Sequence, residues 1–197
     1  MPTRYAVLSD APLVEALKSE IDKALPLLNE AIGADFRYAG REPLEGFESH
    51  VWEDEPDGEA AITLSEDREL ATRSVMVEAA DEPSAEEIAA ALFPRLPVES
   101  LADIRQAAAG ADDARALIRL ALAQATAPDP ESVPIFKRAL GSEREDILEA
   151  ALTAAIMVQS PALLPELEAL VGRELSEEQR VTVAEAIAVC AEGGEAR

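Results

Sequence analysis

Chemistry in this chain would have to come from carboxylates, because the other reactive side chains are almost absent. The 197 residues include 40 Asp and Glu, one His and one Cys. Zinc needs imidazole or thiolate ligands that converge. His50 and Cys190 fall in different expected domains, so no zinc site is expected. Asp54, Asp57 and Glu59 surround a turn and invite a calcium reading, but the ordered Asp, Asn and Gly spacing of a calcium loop is missing. A solvated acidic loop is the expectation, with no metal and no other cofactor. Spacing gives no support to a nucleophile and base made of Cys190 and His50. Cys190 sits late in an expected helix among Ala and Val, where cysteine behaves as a small apolar residue. The nine glycines are scattered, and no phosphate loop or dinucleotide fingerprint occurs. Neighbouring acids such as Asp112 and Asp113 arise by chance in so acidic a chain, and an acid and base pair for glycoside hydrolysis needs a cleft. The expected catalytic set is empty, and a lyase-like or hydrolytic enzyme stands only as a rival reading.

Binding is the better use of these residues. Positions 42–69 hold 11 acids against the single base Arg68, with Phe47, His50 and Trp52 among them. An aromatic anchor within a field of carboxylates suits a basic protein, since the ring supplies buried area and the field speeds encounter. The expected contact set is Trp52, Glu48, Glu53, Asp54, Glu55, Asp57 and Glu59. Strand alternation puts Phe47, Ser49 and Val51 on one face and Glu48, His50 and Trp52 on the other, so Trp52 shares its face with polar neighbours. The competing reading is a solvated outer face with Trp52 turned into the sheet core. The formal net charge of -23 argues against a nucleic-acid partner, whose phosphates bind through Lys and Arg. It equally fits a surface that only keeps the protein soluble. Residues 1–100 carry 23 acids and 8 bases, and residues 101–197 carry 17 and 9. The acidity is concentrated at the front.

The elements that must position these residues begin with a helix. Ser9 or Asp10 is the expected cap, Pro12 stands near the first helical position, and Val14, Leu17, Ile21, Leu25, Leu28 and Ile32 form one apolar stripe. Pro26 is expected to kink or divide this helix and Gly33 to end it. From Asp35 the pattern alternates. Phe36 and Tyr38 suggest a short strand, positions 47–54 and 59–64 flank the turn Glu55-Pro56-Asp57-Gly58, and a further strand runs over 70–79. Three consecutive strands make an antiparallel meander covered by the first helix. Ser84 and Glu87 read as a capping box opening the next helix, which Pro94 and Pro97 close. The expected boundary lies near residue 97, with a small α/β domain before it and a helical domain over 98–192.

The helical part is written with a period of 31. Pro130 falls on Pro161, Pro134 on Pro165, Gly141 on Gly172, Ala155 on Ala186 and Ile156 on Ile187, which is the signature of stacked helix pairs. Ser142 with Glu145 and Ser176 with Gln179 read as capping boxes opening the second helix of each pair. Val133, Phe136 and Leu140 match Leu164, Leu167 and Val171 as core. An earlier pair, 101–109 and 112–126, diverges as terminal repeats do. With the Pro at each first helix and the stretches 145–152 and 178–185, residues 100 to 190 resemble short bacterial HEAT-type repeats, the family of helix pairs also seen in phycobilisome lyase-like proteins. Tetratricopeptide-like or unclassified helical pairs are the alternatives. The resemblance implies an α-solenoid of about three hairpins whose surface serves a protein partner.

The whole is expected to be α+β. No signal peptide and no apolar run of about 20 residues is present, and one cysteine cannot close an internal disulfide, so a cytoplasmic protein off the membrane is expected. The expected function is non-catalytic protein binding, in its sharpest form an acidic immunity or inhibitor protein that masks a basic toxin or nuclease. A scaffold or assembly factor working through the repeats is the alternative.

Overall fold

A computed structural model describes residues 1–9, 13–54, 59–68, 72–110, 113–125 and 129–195. The architecture is α+β, and the chain divides into two compact units, Met1–Glu99 and Ser100–Arg197.

The first unit is built on a five-stranded antiparallel sheet. Its strands are β1 (Thr3–Val7), β2 (Phe36–Leu44), β3 (Phe47–Asp54), β4 (Ala60–Asp67) and β5 (Thr72–Ala79), in the order β1-β5-β4-β3-β2. The meander is therefore four strands long, and the apolar run before the first helix adds a fifth at its edge, with Tyr5 opposite Met76. Gly46, at φ 73°, takes the positive angle that closes the two-residue turn between β2 and β3, where Leu44 pairs with Phe47.

Helix α1 (Val14–Ile32) lays Leu17, Ile21, Ala24, Leu25 and Leu28 on the sheet. It differs from expectation at two points. Its N-cap is Leu13, without a side-chain cap, and not Ser9; Asp10 and Pro12 lie outside the described residues. It also runs undivided through Pro26, which stands on the exposed side. The missing donor frees the carbonyl of Asp22, four residues back, and water can satisfy a carbonyl on that side. Gly33 ends the helix in the left-handed conformation, φ 72°, its amide on the Asn29 carbonyl at 2.9 Å. The Asn29 carboxamide then accepts the Phe36 amide at 3.0 Å, pinning the end of α1 to the start of β2.

Helix α2 (Glu82–Leu92) packs Ala85, Ile88 and Leu92 into the same core. Its cap is Asp81, which accepts the Ser84 amide at 2.8 Å, so the expected box of Ser84 and Glu87 is not the one used. Arg4 of β1 reaches back to Glu82 and Glu86 on the first turns of α2.

The second unit holds α3 (Leu101–Gly110), α4 (Ala114–Leu122), α5 (Val133–Leu140), α6 (Glu145–Val158), α7 (Leu164–Leu170) and α8 (Glu177–Glu195). Helices α4, α6 and α8 pack in succession, α3 lies on α4, α5 on α6, and α7 on α8. Their shared interior is rich in alanine: Ala151, Ala154, Ala155 and Ala186 are fully buried beside Phe136, Leu152 and Leu167. Two expectations shift here. Val171 is 70% exposed, and Leu170, one residue earlier, takes the core position because α7 ends there. Ser142 does not cap α6, whose N-cap is Arg144; the Ser142 hydroxyl accepts the Arg144 amide instead. The box of Ser176 and Gln179 does form, each side chain accepting the other's amide at 3.1 and 3.2 Å.

Candidate functional site

The antiparallel register brings the start of β2, the end of β3, the start of β4 and the end of β5 to one end of the sheet, where Phe36 pairs with Asp54 and Ala60 with Ala79. The C-terminus of α1 and the N-terminus of α2 arrive at the same end. Between them lies a cavity of about 170 Å³. Ile32, Phe36, Ala60, Ala79 and Ile88 give it an apolar lining, and Asp54, Glu59, Asp81 and Glu87 supply four carboxylates. No basic side chain lines it among the described residues.

The four acids are held differently. Asp54 accepts the Asp35 amide at 2.7 Å, which fixes one carboxylate oxygen. Asp81 is held below its ordinary value of 3.8 first by the Ser84 amide and then by the Ser84 hydroxyl, so it stays charged. Glu59 and Glu87 are exposed, and no hydrogen bond or ion pair engages either among the described residues. The carboxylates surround the cavity without converging: among the described residues no group of three His, Cys, Asp or Glu could hold a metal ion.

Only part of the expected contact set gathers here. Asp54 and Glu59 line the cavity, and exposed Glu53 stands beside them on the other face of β3. Glu55 and Asp57, with the turn around them, lie outside the described residues. Glu48 sits at the far end of β3, about 20 Å away at the rise of an extended strand.

Trp52 is a correction. It is wholly buried in the core under α1, where its indole N–H donates to Asp22 Oδ1 at 2.8 Å, so it cannot be an exposed anchor. The strand alternation is as expected, but the face that carries Glu48, His50 and Trp52 is the covered one. Its polar members satisfy one another. An ionised carboxylate only accepts, so His50 Nε2–H donates to Glu48 Oε1 at 3.0 Å. His50 Nδ1 is hydrogen-bonded to the Tyr38 hydroxyl at 2.9 Å. Glu48 Oε2 takes Arg41 at 2.5 Å and Arg68 at 2.8 Å. The Arg41 hydrogen bond is the largest cause holding the Glu48 carboxyl below its usual range; burial opposes it. Lys18 of α1 closes over the Tyr38 ring at 4.3 Å from its centre.

Cys190 belongs to the second unit. Its thiol is buried against the Ala155 carbonyl at 3.5 Å, and burial pushes it up to about 11, which leaves little thiolate at neutral pH.

Sequence reasoning missed Asp81 and Glu87 as members of the acidic cluster. Both stand around a helix start directly after a strand; the sequence reading places Glu87 in a capping box with Ser84 and assigns Asp81 nothing. No family model matches the chain, and neither the curated proteins nor the solved structures contain a match to it. No helix among the described residues is long and apolar enough to cross a membrane.

Proposed function

We propose that this chain is a non-catalytic protein-binding module that captures a basic protein at the acidic end of its sheet. The observation that carries this reading is the cavity lined by Asp54, Glu59, Asp81 and Glu87, with no described cation in its lining. Carboxylates that no cation pairs among the described residues concentrate a field that draws in a cationic surface and discriminates against an anionic one. In its sharpest form the protein is an immunity-type inhibitor, presenting carboxylates to a toxin or nuclease where nucleic-acid phosphates would otherwise bind. A bacterial cytoplasmic setting belongs to the proposal, and a chain with a single cysteine, which can close no internal disulfide, is compatible with it. The test is a triple charge reversal, Glu53→Lys, Asp54→Lys and Glu59→Lys, with circular dichroism to check folding. The parent should retain a basic partner at low salt and release it as salt rises, and the variant should not retain it. Equal capture by both would sink the reading.

A second reading assigns the partner surface to the helical unit, as a HEAT-like stack of about three hairpins acting as a scaffold. The succession of α4, α6 and α8, each bearing a first helix, favours it, as does the exposure of Val171 and Val181 at 70% and 62%. On this reading Val181→Glu abolishes capture and the charge reversal at the sheet does not. A stack passes stability between neighbours, so Phe136→Ala, at roughly 3–5 kcal/mol, should loosen its end before the rest. A melt as sharp and as late as the parent's counts against the stack.

A further inference from the structure

We propose that Tyr38 is a redox-active tyrosine, which yields an electron to a one-electron oxidant while its phenolic proton passes to Nδ1 of His50. The inference does not rest on the binding reading above.

The proton has a place to go. Tyr38 Oη stands 2.9 Å from His50 Nδ1, within reach of direct transfer. His50 Nε2 lies 3.0 Å from Glu48 Oε1, and an ionised carboxylate only accepts, so a neutral imidazole keeps its proton on Nε2 and turns the Nδ1 lone pair to the phenol. The imidazolium made by the transfer is charge-paired with Glu48. Arg41 and Arg68 occupy the other carboxylate oxygen, which leaves Oε1 to His50. His50 and Glu48 are both buried, so the proton stays beside the oxygen it left.

Local charge couples the electron to that proton. Lys18 holds its ammonium 4.3 Å from the centre of the Tyr38 ring, an arrangement that favours the electron-rich phenol and opposes a ring cation. The electron therefore leaves with the proton, and the product is a neutral phenoxyl radical. In the balance the oxidant gains one electron, the O–H bond of Tyr38 breaks and an N–H bond forms on His50. A small-molecule reductant such as ascorbate or a thiol reverses the step, supplying the electron while Nδ1 returns the proton.

Placement gives the residue its use. Tyr38 is 41% exposed, so an oxidant or reductant in solvent can meet its ring. Behind it Trp52 is wholly buried, in a T-shaped contact with ring centroids 5.5 Å apart. An electron from Tyr38 refills Trp52 once that indole is oxidised, and the oxidising equivalent ends at the surface. Tyr5, the other of the two tyrosines, has no hydrogen bond on its hydroxyl among the described residues and serves as the control.

The test uses the full chain with photogenerated tris(bipyridine)ruthenium(III) as oxidant, and follows tryptophanyl and tyrosyl radicals by transient absorption and electron paramagnetic resonance. In the parent a tryptophanyl signal should give way to a tyrosyl signal, more slowly in heavy water than in water. Tyr38→Phe should remove the tyrosyl signal and leave the radical on Trp52, while Tyr5→Phe should change neither. His50→Gln, which keeps a polar side chain but no base, should slow tyrosyl formation roughly a hundredfold or more. If that variant does not fold by circular dichroism, the isotope effect and the two tyrosine variants decide. A radical that stays on Trp52 in the parent, or a tyrosyl signal that survives Tyr38→Phe, overturns the proposal. So does a rate unchanged in heavy water or in folded His50→Gln, which would make the Tyr38–His50 bond a packing contact alone.

Discussion

Glu48 shows how a charged residue can be core. Only 7% exposed, it is flanked by Arg41, Arg68 and His50, and its carboxyl is lowered chiefly by the Arg41 hydrogen bond. A group whose folded value is depressed contributes stability that is present above its unfolded value and lost as pH falls through the folded one. The parent should therefore lose stability to acid below the ordinary glutamate value of 4.5. Glu48→Gln should flatten that part of the curve, as read from urea midpoints between about pH 3 and 6. Identical pH profiles would show that the carboxylate does not titrate with folding. Trp52 is the single tryptophan, so its emission reports one place. It should be blue-shifted and poorly quenched by iodide. Asp22→Ala, which leaves the indole N–H unpartnered in the core, should cost about 1–3 kcal/mol in denaturant melts. Ready quenching in the native protein would return Trp52 to the surface.

At the scale of elements, two serines that read alike in sequence do different work. Ser176 shares a reciprocal box with Gln179 at the start of α8, while Ser142 accepts the amide of Arg144 ahead of α6. Ser176→Ala should cost about 1 kcal/mol, and Ser142→Ala clearly less, in paired denaturant titrations. Equal losses would mean that the local motif, and not the observed cap, sets the energy. The helical unit also ties its turns together with arginines that no period announced. Arg138 donates to the carbonyl of Ala109 at 2.9 Å and Arg173 to that of Ser142 at 3.1 Å, each satisfying a carbonyl at the end of an earlier helix or in the turn after it. The two arginines are not 31 residues apart. Sliding the sequence by 31 residues therefore does not reveal these bonds.

For the molecule as a whole the dominant quantity is charge. At -23 the compact state gathers like charges that the unfolded chain spreads out, and the rim of the cavity adds carboxylates that no cation pairs among the described residues. Added salt screens this repulsion over a Debye length of about 8–10 Å near physiological strength. The melting temperature should rise between about 0.01 and 0.15 M sodium chloride, in scanning calorimetry or circular dichroism. A fall would mean that ion pairs such as Arg73 with Glu66, or Arg105 with Asp129, outweigh the repulsion.

What the sequence determined by itself was local. Hydrophobic period 3.6 marked α1 and the later helices, period 2 marked the central strands, and Gly33 stands where the end of α1 requires a positive angle. These signals are carried by residues a few positions apart, so they are legible without the fold. The tertiary structure alone decided which face of β3 is covered. Alternation separates Phe47, Ser49 and Val51 from Glu48, His50 and Trp52, but only the docking of α1 says which set is inside, and only Tyr38, Arg41 and Arg68 make a polar set tolerable there. It also decided that β1 joins the sheet, through pairs such as Tyr5 with Met76, and that Asp54 and Glu59 meet Asp81 and Glu87 around one cavity. Those relations depend on strand register and helix docking between distant segments, where the free energy of contact belongs to the assembled layers and to no single stretch of chain.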